Sequence, residues 1–395
     1  MGTAPAPCLQ GAGIFISCYI WYVKQEKMFK FQIIKSDRES LARTGEITTS
    51  HGKIQTPVFM PCATVGAVRG ISPQELKELG FELILANTFH LYLRPGEETV
   101  KKFGGLHQFM NWDKTILTDS GGYQVFSLGA GNRSKERTRL VKIEDQGVIF
   151  RSHLDGSRHQ FSPAKVLEIQ KSLGADILMV LDDCTPYPVS HQEAEESMAR
   201  THLWAQKSIE IWQKNKNSGQ ALFGIVQGSV YRDLRLKSAE FISNLPFDGV
   251  AVGGVSVGEE KSKMYEVIKW VGPRLPKDKP HYLMGVGEPQ DLIFAAKYGF
   301  DMFDCVLPTR LGRHGTVWVT QNFKKFTKIN LRKTSFASSK EPIMKGCPCP
   351  ACHKGYSRGY LSHLIREKEM LGMRLATLHN LSIIQQLLKK IREKV

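Results

Sequence analysis

The run from Gly299 to Arg313, GFDMFDCVLPTRLGR, places the carboxylate of Asp304 directly after an apolar stretch and follows it with Arg310 and Arg313. A carboxylate at the end of a buried strand is costly unless it is paired, protonated or used in chemistry. Two arginines so close to it suit contacts with phosphate groups. The run therefore predicts a reactive carboxylate beside an anion-binding loop, and a structural salt bridge is the alternative.

Other apolar runs also end in polar residues, and aspartates stand at three of these ends, at positions 119, 182 and 304. Two carboxylates that face one substrate suit glycosidic chemistry, in which one attacks or stabilises an oxocarbenium-like centre and the other transfers protons. Helix capping is the alternative for single positions. Tyr123 offers a face for stacking a ligand, or else packs in the core. The remaining polar ends are Asn87 and His90, Ser120-Gly121-Gly122-Tyr123, Asp183, Gln227, Gly254 and Gly285–Glu288.

A cluster of three cysteines, Cys347-Pro-Cys349-Pro-Ala-Cys352, predicts most of a tetrahedral zinc site. By spacing, the fourth ligand is His353, His363 or His379. Three thiolates and one histidine leave no open position, so the predicted zinc is structural; a redox cluster or free thiols are the alternative. The other five cysteines are scattered, which favours a reducing compartment, the cytoplasm, over a disulfide framework.

Charge is concentrated in the C-terminal part of this 395-residue chain. From residue 309 to residue 395 there are 18 Lys and Arg against 4 Asp and Glu, so 14 of the net charge of +16 lies there. This concentration favours a nucleic-acid partner over an ordinary solvated face.

The apolar run Ile14–Val23 is too short to span a bilayer, and it lacks the flanks of a secretory signal. Residues 1–27 are therefore expected to be an extension, and no membrane partner is expected.

Eight short apolar runs alternate with helix-like stretches between residues 57 and 308. Continuous apolar runs are typical of parallel strands that are buried on both faces. Eight such units predict an α/β protein with a (β/α)8 TIM barrel. A doubly wound sheet is the rival, but no GxGxxG follows the first strand. The predicted strands lie within 57–61, 83–88, 115–120, 176–183, 221–228, 249–255, 281–287 and 302–308, and predicted helices include 72–80, 162–174, 192–214 and 289–299.

Two regions depart from this rhythm. Residues 137–161 alternate apolar and polar positions around two turns, which predicts an antiparallel insertion at about 130–162. After residue 309 the pattern stops. The expected domains are thus an extension at 1–27, a barrel at 28–308, and at 309–395 an RNA-contact loop, a zinc-binding subdomain and C-terminal helices.

Several long stretches resemble one protein family, the bacterial-type tRNA-guanine transglycosylases, from about Phe29 to the C-terminus. Their order and spacing make the resemblance highly specific. The stretches are NTFHLYLRPG (87–96), TDSGGYQVFSL (118–128), FGIVQGSV (223–230), DGVAVGGVSVGE (248–259), HYLMGVGEP (281–289), FDMFDCVLPTRLGR (300–313), CPCPAC and SRGYLSHLI (357–365).

The resemblance implies exchange of guanine at the anticodon wobble position of tRNA for a 7-deazaguanine base, in queuosine biosynthesis. Asp304 would be the nucleophile that attacks the ribose and forms a covalent RNA–enzyme intermediate. Asp119 would be the general acid and base for the leaving and incoming bases. The reacting nucleotide must leave its stack to enter the site.

The resemblance also implies the binding residues. Asp119, Ser120, Gly121, Gly122, Tyr123, Asp182, Gln227, Gly254, Met284 and Glu259 would bind the base. Gly285, Val286, Gly287, Glu288, Pro289, Gln290, Asp291, Thr309, Arg310, Leu311, Gly312 and Arg313 would contact the RNA. Cys347, Cys349, Cys352 and His379 would hold one structural zinc ion.

Specificity is where the chain departs from the bacterial pattern. Asp183 stands where Glu is usual, and Asp-Asp is common in eukaryotic members, which insert the bulkier queuine. Cys184 and Glu259 look bacterial, and Glu259 would hold the aminomethyl group of preQ1 (7-aminomethyl-7-deazaguanine). The prediction is preQ1 as the incoming base, with queuine as the alternative.

Two alternatives to a base-exchange enzyme are a non-catalytic tRNA-binding subunit and a zinc-dependent hydrolase. A homodimer is expected by resemblance.

Overall fold

The computed structural model describes residues 29–130, 141–214 and 219–395. The extension predicted at residues 1–27 lies outside the described residues, and so does the part of the predicted insertion between residues 131 and 140. The strands are β1 (Lys30–Ser36), β2 (Arg43–Thr49), β3 (Gly52–Thr56), β4 (Val58–Met60), β5 (Cys62–Ala63), β6 (Leu83–Ala86), β7 (Thr115–Thr118), β8 (Val141–Glu144), β9 (Gly147–Arg151), β10 (Arg158–Phe161), β11 (Ile177–Met179), β12 (Ala221–Val226), β13 (Gly249–Val252), β14 (His281–Leu283), β15 (Met302–Asp304), β16 (Thr316–Val319) and β17 (Thr327–Asn330). The α-helices are α1 (Pro73–Glu78), α2 (Thr88–Leu93), α3 (Glu97–Lys102), α4 (Leu106–Met110), α5 (Gly122–Ala130), α6 (Pro163–Leu173), α7 (His191–Lys214), α8 (Arg232–Ser243), α9 (Lys261–Val271), α10 (Pro289–Lys297), α11 (Leu307–Arg313), α12 (Pro350–His353), α13 (Arg358–Arg366) and α14 (Met370–Lys394).

A parallel sheet closes into a barrel. Its strand order is β4-β15-β14-β13-β12-β11-β7-β6-β5. β4 and β5 are two halves of the first strand on either side of Pro61; β4 pairs with β15, and β5 pairs with β6. Every predicted apolar run contains one of the barrel strands. The predicted TIM barrel is therefore confirmed.

The barrel strands are buried because helices cover their outer faces. Every residue of β6, β7, β11, β12 and β13 is buried, as expected for continuous Val, Ile, Leu and Phe runs in a parallel sheet. Because the strands are parallel, their carboxyl ends meet at one rim. Asp304 ends β15, Asp119 directly follows β7, and Asp182 lies shortly after β11.

The helices begin where their sequence signals predict. The Ser72 side chain accepts a hydrogen bond from the Glu75 amide and forms a capping box at the start of α1. The Ser162 side chain caps α6, which ends at Gly174 with a φ of 73°.

Within the described ranges, none of the helices combines the length and the apolar character that crossing a bilayer requires.

The antiparallel insertion lies between α5 and α6 as a sheet with the order β10-β9-β8. Phe150 and Phe161 meet edge to face, with ring centroids 4.9 Å apart. A Cβ atom on Gly121 would lie 3.0 Å from Phe161 and also from Phe89. The insertion therefore supports the loop that follows β7.

A second antiparallel sheet, β1-β2-β3, was not predicted. Its strands contain glycine and charged residues instead of an apolar run, so the pattern used for the barrel misses them. Buried Arg43 of β2 binds Asp301 through two hydrogen bonds of 3.0 and 2.6 Å. This ion pair attaches the sheet to the segment that leads into β15.

The segment 309–313 is helical, not the loop that the sequence suggested, because it lies within α11. The Arg310 amide donates to the carbonyl oxygen of Val306, which continues the helical turn behind Pro308. A Cβ atom on Gly312 would lie 2.6 Å from the backbone of Thr377, so α11 packs directly on α14. The segment is therefore held by the C-terminal helix.

Candidate active site and metal centre

A cavity of about 460 Å³ opens at the carboxyl-end rim of the barrel. This volume lies within the range of small-molecule sites. The structure brings most of the predicted base-binding residues together around it. The predicted residues in its walls are Asp119, Ser120, Gly121, Gly122, Tyr123, Asp182, Gly254, Met284, Gly285, Asp304 and Arg310.

Asp304 has two oxygens in different environments. Its Oδ1 accepts hydrogen bonds from the Tyr282 hydroxyl at 2.6 Å and from the Gly285 amide at 2.8 Å. Its Oδ2 has one hydrogen-bond contact among the described residues, the thiol of Cys62 at 3.5 Å. Burial raises the pKa of Asp304 and these donors oppose the rise. The carboxylate is thus fixed through one oxygen, while the other can meet a reacting atom.

Asp119 directly follows β7. Its Oδ1 accepts from the amides of Thr88 and Gly121 at 3.0 and 3.1 Å, and its Oδ2 accepts from Asn87. Burial raises the pKa of Asp119 to about 7, and the charge of Asp304 adds to this effect. A carboxyl group that titrates near neutral pH suits proton transfer.

Asp182 lies at the floor of the site. Its Oδ1 accepts from the Ser120 hydroxyl at 3.1 Å and its Oδ2 from Gln227 Nε2 at 2.8 Å. Burial raises the pKa of Asp182 to about 6, so the group is mostly ionised at neutral pH. Neighbouring Asp183 forms an ion pair with Arg200 of α7. Asp182 therefore presents a hydrogen-bond acceptor to the cavity, while Asp183 binds α7 through its ion pair.

Two glycines allow close approach of backbone and side chains. A Cβ atom on Gly122 would lie 2.6 Å from the carbonyl oxygen of Asp182. Gly254 has a φ of 62°, and a Cβ atom there would lie 2.2 Å from Gln227 Oε1. A side chain at either position would displace a neighbouring group of the candidate site.

Arg235 is a buried residue of the site that the sequence did not single out. Its guanidinium donates to the carbonyl oxygens of Ser229, Gly253 and Gly254 at 2.6, 2.7 and 2.8 Å. Burial lowers its pKa to about 10, so it stays charged at neutral pH. It therefore ties together the loops that follow β12 and β13. An arginine within the α8 pattern gives no sequence signal for this role.

Several predicted residues lie outside the cavity walls: Gln227, Glu259, Val286, Gly287, Glu288, Pro289, Gln290, Asp291, Thr309, Leu311, Gly312 and Arg313. Gln227 lies behind Asp182 as its hydrogen-bond donor. The carboxylate of Glu259 accepts from the backbone amides of Ser256 and Val257. Asp291 is buried and binds the Tyr265 hydroxyl at 2.6 Å and Lys261 at 2.7 Å, which turns it toward α9.

Arg310 and Arg313 lie on α11 beside the cavity. Neither forms an ion pair with a carboxylate in the described part of the chain, so the salt-bridge alternative for Asp304 is not realised there. Arg313 Nη1 is buried without a hydrogen-bond partner among the described residues. Burial lowers the pKa of Arg313, and the charges of Arg69 and Arg310 lower it further. An anion placed here would relieve this repulsion.

The three cysteines of the cluster and His379 form a buried group whose ligand atoms all lie within 4.8 Å of one another. The Sγ atoms of Cys347, Cys349 and Cys352 lie 3.7, 3.4 and 3.5 Å from His379 Nδ1. Sulfur and nitrogen ligands of one tetrahedral zinc lie roughly 3.6 Å apart, from the usual bond lengths. His379 Nε2 lies 2.8 Å from the carbonyl oxygen of Trp318, which suits a tautomer with Nδ1 as ligand. The group therefore fits a metal ion, with His379 as the fourth ligand.

A second group of potential ligands does not suit a metal. His51 and His107 lie 2.6 and 3.2 Å from the two oxygens of Asp176. Their rings stack in parallel, with centroids 3.6 Å apart and an angle of 12°. The lone pair of an imidazole nitrogen lies in the plane of its ring, so the lone pairs of two parallel stacked rings do not point at the same ion. Ser50 and the Ile116 amide already donate to the carboxylate.

Comparison with known proteins identifies the family. The model of the family described as queuine tRNA-ribosyltransferase matches residues 37–395. A queuine tRNA-ribosyltransferase of Caldanaerobacter subterraneus subsp. tengcongensis is 51% identical over 367 residues, which are 93% of this chain and 93% of that protein. One of Desulforudis audaxviator is 48% identical over 365 residues, 92% of this chain and 94% of that protein. The chain belongs to the queuine tRNA-ribosyltransferase family.

Membership in the queuine tRNA-ribosyltransferase family confirms the resemblance that the motifs indicated. It also confirms the predicted enzyme class, because members of this family are pentosyltransferases. The carboxylates at the barrel rim are groups of a kind that can form covalent intermediates.

The cavity also contains residues that the sequence did not indicate. Cys62 and Tyr282 line it and contact Asp304. Tyr282 offers one signal, a hydroxyl group within a buried strand. Cys62 follows the first predicted strand, but a single cysteine there indicates nothing by itself.

Proposed function

We propose that this protein exchanges guanine at the anticodon wobble position of tRNA for preQ1, through a covalent bond between Asp304 and the ribose. The proposal depends on one observation above all. Asp304 is fixed through Oδ1, and it lines a cavity whose walls also contain the titratable Asp119. One carboxylate that is ready to attack and one that can carry a proton make the pair that base exchange needs. The protein would act in the cytoplasm, on tRNA.

In the first step an oxygen of Asp304 forms a bond to C1′ of the ribose as the bond from C1′ to the base nitrogen breaks. The electron pair of that bond leaves with guanine, which takes a proton from Asp119. In the second step Asp119 accepts a proton from the incoming base, whose nitrogen attacks C1′ and releases the Asp304 carboxylate. The pKa of Asp119 near 7 suits both transfers.

The base would lie between Tyr123 and Met284, with its donor edge toward Asp182. Hydrogen bonds from Ser120 and Gln227 hold this carboxylate in place, which supports the assignment. A pocket with fixed acceptors rejects bases that lack the matching donors. The backbone around Gly121, Gly122 and Gly254 would approach the base closely.

The aminomethyl group of preQ1 would reach Glu259 after a rearrangement of the loop. The carboxylate of Glu259 now accepts from Ser256 and Val257, so the loop must release it first. Queuine is the alternative incoming base, since Asp183 follows Asp182.

The RNA would cross the rim along residues 285–291 and 309–313. Arg310 and Arg313 support this path, because they offer unpaired positive charge beside the cavity. A phosphate group there would receive charge-assisted hydrogen bonds.

We propose zinc as the metal of the Cys347, Cys349, Cys352 and His379 group. Soft thiolates together with one imidazole favour zinc. With all four positions filled by protein, the ion would stabilise the C-terminal part and take no part in base exchange.

Exchange of radiolabelled guanine into an anticodon stem-loop RNA tests the proposal. The wild-type protein should incorporate label, whereas Asp304→Ala should not. Competition between preQ1 and queuine in the same assay decides the incoming base. Exchange by Asp304→Ala at the wild-type rate contradicts the assigned nucleophile, and RNA binding by a wild-type protein without exchange favours the non-catalytic subunit. Light scattering tests the homodimer that the resemblance implies.

A further inference from the structure

We propose that Oδ2 of Asp304 is the attacking atom and that Cys62 is a positioning residue, whose thiol orients this oxygen until the ribose displaces it. This inference rests on the proposed function. It concerns which atom reacts and what prepares it for reaction.

The contacts of Oδ1 favour attack by the other oxygen. Oδ1 accepts from the Tyr282 hydroxyl and the Gly285 amide at 2.6 and 2.8 Å. If Oδ2 attacks, Oδ1 becomes the carbonyl oxygen of the ester and keeps both donors. If Oδ1 attacked, both donors would face the alkyl-bearing ester oxygen, which is a poor acceptor. Loss of hydrogen bonds at a buried site is costly, so Oδ2 is the better nucleophile.

The Cys62 thiol occupies the approach to Oδ2. Cys62 begins β5, lines the cavity, and has its Sγ 3.5 Å from Oδ2. A thiol is a weak donor, so a ribose can displace it at little cost. Burial and the charge of Asp304 raise the pKa of Cys62 well above its usual value. Cys62 therefore stays a protonated donor and does not compete as a nucleophile.

The chemical balance leaves Cys62 unchanged. A lone pair of Oδ2 forms the bond to C1′, and the pair of the breaking glycosidic bond leaves with the base, which takes a proton from Asp119. The thiol keeps its proton and turns away from Oδ2. When the carboxylate is released in the second step, the contact forms again.

Titration of the Asp304 carboxyl carbon by NMR, in protein labelled at aspartate carboxyls, tests the contact without any substrate. The Asp304→Asn variant assigns the resonance. A donor to the ionised form lowers a pKa, so Cys62→Ala should raise the pKa of Asp304 by roughly 0.5 to 1 unit. Cys62→Ser keeps a donor and should return the pKa toward the wild-type value. Cys305→Ser is the matched control: Cys305 neighbours Asp304 and accepts from the Leu307 amide, and its variant should leave the titration unchanged.

Two further measurements connect the contact to the reaction. The single-turnover rate of ester formation falls at acidic pH as Asp304 becomes protonated. In Cys62→Ala the midpoint of this fall should move to higher pH by the same amount as the pKa of Asp304, while the affinity for guanine is unchanged. A crystal structure of the trapped RNA complex should show the ester through Oδ2, with Oδ1 still bound to Tyr282 and Gly285.

The outcomes separate this inference from the proposed function. An Asp304 titration that is the same in Cys62→Ala and in wild type overturns the role of Cys62, and an ester through Oδ1 overturns the assignment of the attacking atom. If wild-type protein forms no covalent RNA complex, the proposed function fails and Oδ2 loses its role as attacking atom. The NMR titration still decides whether Cys62 positions Asp304.

Discussion

The hydroxyl of Tyr282 donates a hydrogen bond of 2.6 Å to Oδ1 of Asp304. The two residues lie on adjacent barrel strands, β14 and β15, which pair in parallel. Tyr282 is fully buried within β14, so packing restricts its phenol ring. The proposed nucleophile is thus oriented by the rigid barrel sheet, and a mobile loop is not needed to align it.

Tyr282→Phe should slow formation of the covalent RNA complex by about 10- to 100-fold, because a hydrogen bond to a charged group contributes about 1.5–3 kcal/mol. Rapid quench followed by a denaturing gel measures this rate. Tyr265→Phe is a matched control, since it removes a Tyr–Asp hydrogen bond of the same 2.6 Å length outside the cavity. Equal rates in both variants would argue against Tyr282 as a positioning residue.

The raised pKa of Asp119 predicts a dependence of stability on pH. Burial raises this pKa from 3.8 to about 7, so between these values the folded protein binds more protons at Asp119 than the unfolded chain does. The free energy of unfolding should therefore fall as pH rises through this window, by at most about 1.4 kcal/mol per pH unit for this group. Urea unfolding at several pH values should give a smaller slope for Asp119→Asn than for wild type. The slope should not vanish, because burial also raises the pKa values of Asp182 and Asp304. A slope unchanged by the substitution would contradict the raised pKa.

The barrel could be predicted from sequence because most of its strands are continuous apolar runs. A parallel strand is buried on both faces, so its sequence carries a strong signal. The same parallel arrangement makes strand ends meet, which allowed Asp119, Asp182 and Asp304 to be assigned to one rim. The candidate metal ligand His379 was different, because spacing alone left three histidines open and the family resemblance was needed to choose.

Contacts across the fold could not be predicted. Arg235 lies on α8, yet it organises the loops after two strands, and no local pattern records such a distant contact. A loop was expected at 309–313 because the strand–helix pattern stops after residue 309. In the structure Gly312 provides room for Thr377 of α14, so this segment is a helix that packs directly on α14.

Arg313→Ala should weaken binding of the anticodon stem-loop and reduce the slope of log affinity against log salt by about one, since one phosphate contact is lost. Guanine affinity should not change, because Arg313 is absent from the cavity walls. Filter binding at several salt concentrations measures both quantities for RNA. Arg374→Ala is the control, because Arg374 pairs with Glu75 at 2.6 Å and its charge is already compensated. A slope that Arg313→Ala leaves unchanged would remove this arginine from the RNA path.

Loss of the metal should loosen α11 as well as the metal centre. His379 binds the carbonyl oxygen of Trp318, and the next residue, Asn380, donates to the carbonyl oxygens of Pro308 and Thr316 at 3.0 Å each. Cys349→Ala removes one ligand, so the protein should lose its metal, and amide hydrogen exchange should become faster in α11, β16 and the cysteine segment.

Elemental analysis should find about one metal ion per wild-type chain and none in Cys349→Ala. His363→Ala is the control, because this histidine was a candidate by spacing but is not part of the group, and it should keep its metal. RNA affinity of Cys349→Ala should fall together with the protection of α11, whereas a disrupted barrel would also abolish guanine binding. Metal loss with unchanged amide hydrogen exchange in α11 would show that α11 does not depend on the metal centre.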